Sequence, residues 1–433
     1  MYSVLKFGGT SVGSEQNMRM VASIIQDEKS KVTVLSAMSG TTDYLVKICN
    51  SAKASIDCTE EINFLVDKYT TCVNALITDN NELVLQKVNS VFEFIATEVK
   101  DFNASSEGLI LAQGELLTTF IFTYHLKELG LKAELINVVD YMHTLENAQV
   151  DVARLKEGLN NYISQFPEDT FFVTQGFICK NYLDQFDNLG RGGSDYSAAL
   201  IGAAININEV QIWTDIDGMH NNDPRYVEGT FPIRKMSYDE AAELAYFGAK
   251  ILHPATILPC KEKGIDVRLK NTLDPKAPGT LITTTTDSDK TFHAVAAKDK
   301  ITVIHITSAR MLMAYGFLRK VFEVFEKYKT PIDMITTSEV AVSITIDNIC
   351  SLDAIVSELE EYGKVVVEKD NSIICVVGQL GQERKGVISQ VLTGIDDICL
   401  KMISYGASDR SVAILIDSKD KINALRELNK QLF

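Results

Sequence analysis

Val4-Leu5-Lys6-Phe7-Gly8-Gly9-Thr10-Ser11-Val12 reads as a short strand that stops at two glycines. Glycines at such a stop let the backbone turn tightly and approach a bound oxyanion, and the hydroxyls of Thr10 and Ser11 add donors. The stretch matches neither GxxxxGK[ST] nor GxGxxG. Taken blindly, Gly-Gly after a strand is more often a plain turn, but Lys6 inside the strand shifts the reading towards phosphate. The same pattern recurs outward along the chain. Val32-Thr33-Val34-Leu35 ends at Ser36, Phe171-Phe172-Val173-Thr174 is a third strand, and Val210-Gln211-Ile212-Trp213-Thr214 a fourth. Over residues 63–129 apolar positions fall at helical spacing. Alternating strands and helices predict an α/β sheet covered on both faces, with ligands at the carboxyl ends of its strands.

A second glycine cluster, Leu189-Gly190-Arg191-Gly192-Gly193-Ser194-Asp195, precedes an apolar helix over residues 198–205. Ser194 is placed to cap that helix, leaving N-terminal amides and the positive dipole end for an anion. Arg191 offers a planar fork for carboxylate or phosphate, whereas Asp195 alone reads as an acid compensating the helix dipole. A third stretch, Trp213-Thr214-Asp215-Ile216-Asp217-Gly218-Met219-His220, runs on to Asp223-Pro224-Arg225. By itself it is a polar loop with a turn. Phe247-Gly248-Ala249-Lys250 and His253-Pro254 close one helix and begin another.

At 433 residues the chain exceeds what one core usually organises. Its formal net charge of −16 argues against nucleic acid or an anionic membrane as a partner. Eight scattered cysteines without CxxC spacing read as reduced thiols, not as a zinc site or disulfide framework. The N-terminus lacks the basic and apolar regions of a signal peptide, no apolar run reaches membrane-spanning length, and a cytoplasmic protein is expected.

Residues 275–290, with Pro278-Gly279 and a threonine run, read as a boundary. Beyond them lies an internal repeat, one copy over 301–347 and the other over 372–417. Each runs strand, Gly-initiated helix (Gly316, Gly386), strand, turn, strand, and each is followed by another helical pattern. Two consecutive βαββαβ units are expected, over 289–371 and 372–433, after a first domain over 1–288.

Together these strings resemble the aspartokinase family of the amino-acid kinase fold. The resemblance rests on KFGGTSV at Lys6, Ser36 with Gly40-Thr41-Thr42-Asp43, Gln113-Gly114-Glu115, GRGGSD at Gly190, WTDIDG at Trp213, DPR at Asp223 and FGAKILHPAT at Phe247. The repeated units look like that family's tandem ACT modules, so the resemblance spans nearly the whole chain. It implies an α/β architecture, a three-layer αβα kinase domain plus two ferredoxin-like βαββαβ ACT domains. The implied reaction makes 4-phospho-L-aspartate and ADP from L-aspartate and ATP with Mg²⁺, the first step towards lysine, threonine and methionine. No dedicated protein metal site is expected.

By the same resemblance, Lys6 contacts the transferring phosphoryl, and Asp195 orients Lys6. Arg191 clamps the substrate α-carboxylate and Glu115 receives its α-ammonium, with Ser36, Thr42 and Ser194 donating hydrogen bonds. Gly8, Gly9, Thr10, Thr214, Asp215, His220, Arg225 and Lys250 hold the nucleotide. His220-Asn221-Asn222 departs from the tyrosine of many relatives, which leaves the adenine contacts open. An effector site resembling that of lysine-inhibited aspartokinases comprises Met311, Ala314, Gly316, Phe317, Leu318, Ile332, Asp333, Thr337, Ser338 and Glu339. L-Lysine is the expected effector, threonine its competitor, and a homodimer or dimer of dimers through the ACT modules the expected assembly. A related kinase acting on glutamate or acetylglutamate, or an amino-acid sensor without activity, are the alternatives. With the chain ending at Phe433, no fused dehydrogenase is expected.

Overall fold

The strand of the opening motif, β1 (Ser3–Phe7), runs through the middle of an eight-stranded sheet. After it come α1 (Glu15–Asp27), β2 (Ser30–Leu35), α2 (Thr41–Lys53), α3 (Thr59–Leu76), α4 (Asn81–Lys100), α5 (Ser106–Glu128) and β3 (Ala133–Ile136). Then follow α6 (Val152–Ile163), β4 (Phe171–Gln175), a hairpin of β5 (Ile178–Lys180) and β6 (Phe186–Asn188), α7 (Gly193–Ala204) and β7 (Glu209–Thr214). The sheet is completed by β8 (Lys235–Ser237), β9 (Asp266–Asn271) and β10 (Thr280–Thr283), with α8 (Tyr238–Tyr246) and α9 (Leu258–Lys263) between β8 and β9. The computed structural model describes residues 3–433 except 29, 249–251, 253, 286–289, 309–314 and 382. They form two units: 1–219 with 234–238 and 251–286, and 220–233 with 239–250 and 287–433.

The strand order is β3-β4-β2-β1-β7-β9-β10-β8. From β3 to β9 every neighbouring pair is parallel, and β10 turns antiparallel to β9. Parallel strands buried on both faces need apolar runs, as the wholly buried Val32-Thr33-Val34-Leu35 illustrates. Alternation along β1 sends Leu5 and Phe7 into a core shared with α1–α5, where Phe7 stacks on Trp213 at 5.6 Å. Lys6 therefore points to the other face, towards α7. Strand β10 lies inside the segment expected to be a boundary. Four residues between proline and threonine breakers carry too little pattern to be read as a strand.

In the second unit, β11 (Phe292–Thr307), α10 (Phe317–Lys327), β12 (Ile335–Thr337), β13 (Ala341–Ile346) and α11 (Leu352–Leu359) come first. They are followed by β14 (Lys364–Gly378), α12 (Val387–Thr393), β15 (Leu400–Ser404), β16 (Ser411–Asp417) and α13 (Lys421–Leu432). The six strands make one antiparallel sheet, β12-β13-β11-β14-β16-β15. The repeat is present, but the modules are not consecutive. One core joins Ile304 and Ile306 of late β11 to α10 and α11; the other joins Phe292 and Val295 of early β11 to α12 and α13. A cut after residue 371 passes through β14. Strands of 16 and 15 residues outrun one module, and register shifts around Lys298–Val303 let each strand serve both cores. No described helix is long and apolar enough to cross a membrane.

Candidate active site

In register, Phe7 lies beside Leu35 and Trp213, and Leu35 beside Gln175, so β1, β2, β4 and β7 end along one edge. There the Lys6 ammonium sits 2.7 Å from Asp195 Oδ1, each side chain only 12% exposed. Asp195 occupies the first turn of α7, and the N-cap is Gly192, at φ 73° with no side-chain cap. Only glycine takes that left-handed turn cheaply; Gly193 N–H donates to the Gly190 carbonyl at 3.0 Å, and no side chain caps the amides that follow. Ser194, expected as the cap, instead lies one step inside the helix. Its hydroxyl accepts from Ser36 Oγ at 3.0 Å. A Cβ on Gly176 would fall 2.6 Å from that of Ser194, so glycine there lets the strand β4 turn lie directly against α7.

The loops after β1 and β2 also press together. Ser39 N–H donates to the Gly9 carbonyl at 3.0 Å, and a Cβ on Gly9 would lie 2.9 Å from the Ala37 oxygen. Gly40, at φ 75°, begins α2 as Gly192 begins α7, again without a side-chain cap. Two helix N-termini without side-chain caps and the Lys6 ammonium are the ingredients of an anion site. Gly8 belongs to this loop, while Thr10 is exposed beside it. Thr42 is half-buried in the first turn of α2; its neighbour Thr41 is the buried one, its Oγ1 accepting from Tyr69 OH at 3.3 Å. Lys68 donates to the Ser39 carbonyl and, at 3.4 Å, to Thr41 Oγ1, bringing a further cation to the Gly40 turn. Neither Lys68 nor Tyr69 stands out from the sequence, because both look like ordinary members of an amphipathic helix.

Glu115 sits inside α5, a helix with buried residues all round, and is 3% exposed. Its Oε1 accepts from Ala37 N–H at 3.2 Å, and its Oε2 is buried without a hydrogen-bond partner among the described residues. A Cβ on Gly114 would come within 2.9 Å of Ala37 Cβ, so the glycine brings α5 against the β2 loop. Burial pushes the Glu115 carboxyl up to about 7, against the Ala37 hydrogen bond, which lowers it. The folded state thus holds this proton more tightly than the unfolded chain does. Glu115's contribution to stability is fullest below about pH 4.5 and is lost as pH rises through about 7. Glu115→Gln never ionises, and its urea stability at pH 8 is expected to exceed wild type by on the order of 3 kcal/mol, with the gain gone near pH 4.5. Equal denaturation midpoints at both pH values would count against a buried, proton-binding Glu115.

Thr214 ends β7 and donates its hydroxyl to Oδ1 of the next residue, Asp215, at 3.0 Å. Arg191 is exposed and makes no ion pair among the described residues. His220 and Arg225 belong to the second unit. There Arg225 grips Asp223 in a two-pronged pair, Nε–Oδ1 3.0 Å and Nη2–Oδ2 2.6 Å, while His220 Nδ1 lies 3.4 Å from Thr230 Oγ1. Lys250, Met311 and Ala314 lie outside the described residues. Gly316, at φ 82°, starts α10; Phe317 is buried in the first ACT-like core, Ile332 packs against that core, and Leu318 is exposed. Thr337 ends β12, Ser338 Oγ accepts from Ala341 N–H at 3.1 Å in the following turn, and Glu339 is exposed. Asp333, expected in the effector site, is shielded from solvent and paired with Lys298 of its own chain at 2.6 Å.

A profile described as the amino acid kinase family matches residues 1–271, and an ACT domain profile matches 374–432. The lysine-sensitive aspartokinase 3 of Escherichia coli is 32% identical, over 99% of both chains. Among solved structures, E. coli aspartokinase III in its R-state complex with aspartate and ADP superposes with a TM-score of 0.88 at 30% identity, over 100% of both chains. The T-state complex of that enzyme with lysine and aspartate gives a TM-score of 0.82 at 30% identity, over 100% of this chain and 99% of the other.

Proposed function

The chain belongs to the aspartokinase family, and from that premise we propose that it transfers the γ-phosphoryl group of ATP to the side-chain carboxylate of L-aspartate, restrained by L-lysine. The observation that carries the reading is the Lys6–Asp195 pair, set between two helix N-termini without side-chain caps at the strand ends. An aspartate carboxylate, with an ordinary pKa of about 3.9, is already an ionised nucleophile at neutral pH and needs no base. The obstacle is repulsion between that anion and the triphosphate. Charge and donors fixed in advance are the remedy.

Lys6, held on its line by Asp195, meets the transferring phosphoryl. Gly8, Gly9 and Thr10 follow the phosphates, and Thr214 and Asp215 meet the nucleoside side. Glu115 Oε2, an acceptor left open, takes the substrate's α-ammonium. Arg191 takes the α-carboxylate, with Ser36, Thr42 and Ser194 completing the cradle. Mg²⁺ belongs to the substrate MgATP. Phosphate and water oxygens satisfy a hard cation such as Mg²⁺ without a dedicated protein cage. We place the reaction in the cytoplasm, in a homodimer or dimer of dimers.

ATP-dependent hydroxamate formation with aspartate and with glutamate, side by side, tests the reading. Aspartate-dependent product that glutamate does not give is the expected result. Glutamate turnover of equal efficiency would move the substrate, and no turnover with tight lysine binding would make the protein a sensor.

A further inference from the structure

The second unit carries a charge cluster whose residues have no part in the phosphotransfer reading. Lys298 of β11 extends its ammonium between two carboxylates, 2.6 Å from Asp333 Oδ1 and 3.0 Å from Asp347 Oδ2. Tyr246, at the end of α8, donates its hydroxyl to the same Asp333 Oδ1 at 2.8 Å, and the Lys298 ammonium lies 4.4 Å from its ring centroid. The next turn is clamped here as well, since a Cβ on Gly248 would fall 2.3 Å from the Ala297 oxygen. The Asp333 side chain has no solvent exposure, yet its Oδ2 is buried with no hydrogen-bond partner among the described residues. Its carboxyl is pushed up by burial and by the neighbouring Asp347, with Lys298 and Tyr246 opposing.

Two carboxylates face one ammonium, and one buried acceptor is left over. A hard divalent cation would ask for six or more oxygens, which this cluster does not supply. A second ammonium needs only what is present: an acceptor and unbalanced negative charge. We propose that Asp333 and Asp347 together receive the side-chain ammonium of an amino-acid effector, and that Lys298, resident on the same carboxylates, sets the effector concentration required. The inference rests on the reading of Asp333 as part of an effector site and adds Asp347 and Lys298 to it. Like charges a few ångströms apart repel, so Lys298 opposes the arriving ammonium whether it is displaced or merely crowded. Tyr246 shares Asp333 with Lys298, so a new occupant of that carboxylate also disturbs the end of α8.

The test uses the full-length enzyme and L-lysine as probe, with inhibition of each variant normalised to its own lysine-free rate and binding followed by calorimetry. Lys298→Met is expected to lower the half-inhibiting lysine concentration about tenfold, a change of about 1.4 kcal/mol. Lys298→Arg keeps the charge and is expected to stay within about threefold of wild type. Asp347→Asn, at an exposed position, is expected to raise the half-inhibiting concentration about tenfold. The proposal is overturned if Lys298→Met leaves the threshold unchanged or raises it, if Lys298→Arg shifts it as far as Met does, or if Asp347→Asn leaves it unchanged. A wild-type enzyme that neither binds L-lysine nor is inhibited by it overturns the effector reading itself, a result separable from the variant outcomes.

Discussion

Lys6→Met is expected to lower kcat about a thousandfold, while KM for ATP and aspartate moves less than about tenfold. The asymmetry follows from where the charge acts. Lys6 reaches the site from β1, and Asp195 fixes it at 2.7 Å, so the ammonium is aimed before substrates arrive. A preset charge acts most strongly where negative charge builds up, on the transferring phosphoryl, and less on bound ground states. Methionine keeps most of the side chain's length, so the packing of β1 should survive. Asp195 then becomes a poorly solvated anion without its partner, and the single variant should also lose stability. Lys6→Met with Asp195→Asn separates the two roles. The double variant is expected to recover the melting temperature yet remain as inactive as Lys6→Met alone, because residues acting as a unit are not additive. A kcat within tenfold of wild type for Lys6→Met, from steady-state ADP release, would remove Lys6 from the chemistry.

The second large effect is expected at Glu115. Glu115→Ala should reduce kcat/KM for aspartate about a hundredfold, mostly through KM, and leave KM for ATP nearly unchanged. It removes the acceptor for the substrate's ammonium and leaves Ala37 N–H without its buried partner. Proton binding sharpens the test. Burial lifts the Glu115 carboxyl to about 7, so the empty site is protonated over much of the acid range. Only the ionised form pairs with an ammonium. In wild type, kcat/KM for aspartate should therefore fall about tenfold for each pH unit below 7 and level off above it. The curve for kcat should bend at lower pH, since a bound ammonium favours the carboxylate. Glu115→Gln should lose that acid limb together with most of its activity, while gaining stability at pH 8. An acid limb that persists in Glu115→Gln would assign the titration to another group.

The chemical inventory of the kinase part was legible in the residues, and the reason is local. A strand followed by glycines, or glycines followed by a helix, is specified within ten or so residues, and Lys6-Phe7-Gly8-Gly9 and Gly190-Arg191-Gly192-Gly193 carry their geometry with them. Left-handed turns at Gly40, Gly192 and Gly316 favour glycine, which takes them without steric cost. The repeat at the C-terminal end was visible for the same reason, because each copy carries its own pattern of strand and helix.

Tertiary structure alone decided which of these pieces act on one another. Nothing near Asp195 in the chain says whether it offsets a helix dipole or holds Lys6, 189 residues earlier in the numbering; the parallel register of β1 and the placing of α7 decide that. The same holds for Glu115, whose altered proton affinity arises from helices packed around it and not from its neighbours in sequence. Ser194 was displaced from its expected capping role by the αL turn at Gly192 and given to Ser36 instead. Asp333 met Lys298 because its N–H bonds Thr345 of β13, the strand that runs beside β11. Local propensity and spacing are written along the chain, whereas charge pairing and desolvation depend on distance in space, and it is folding that sets those distances.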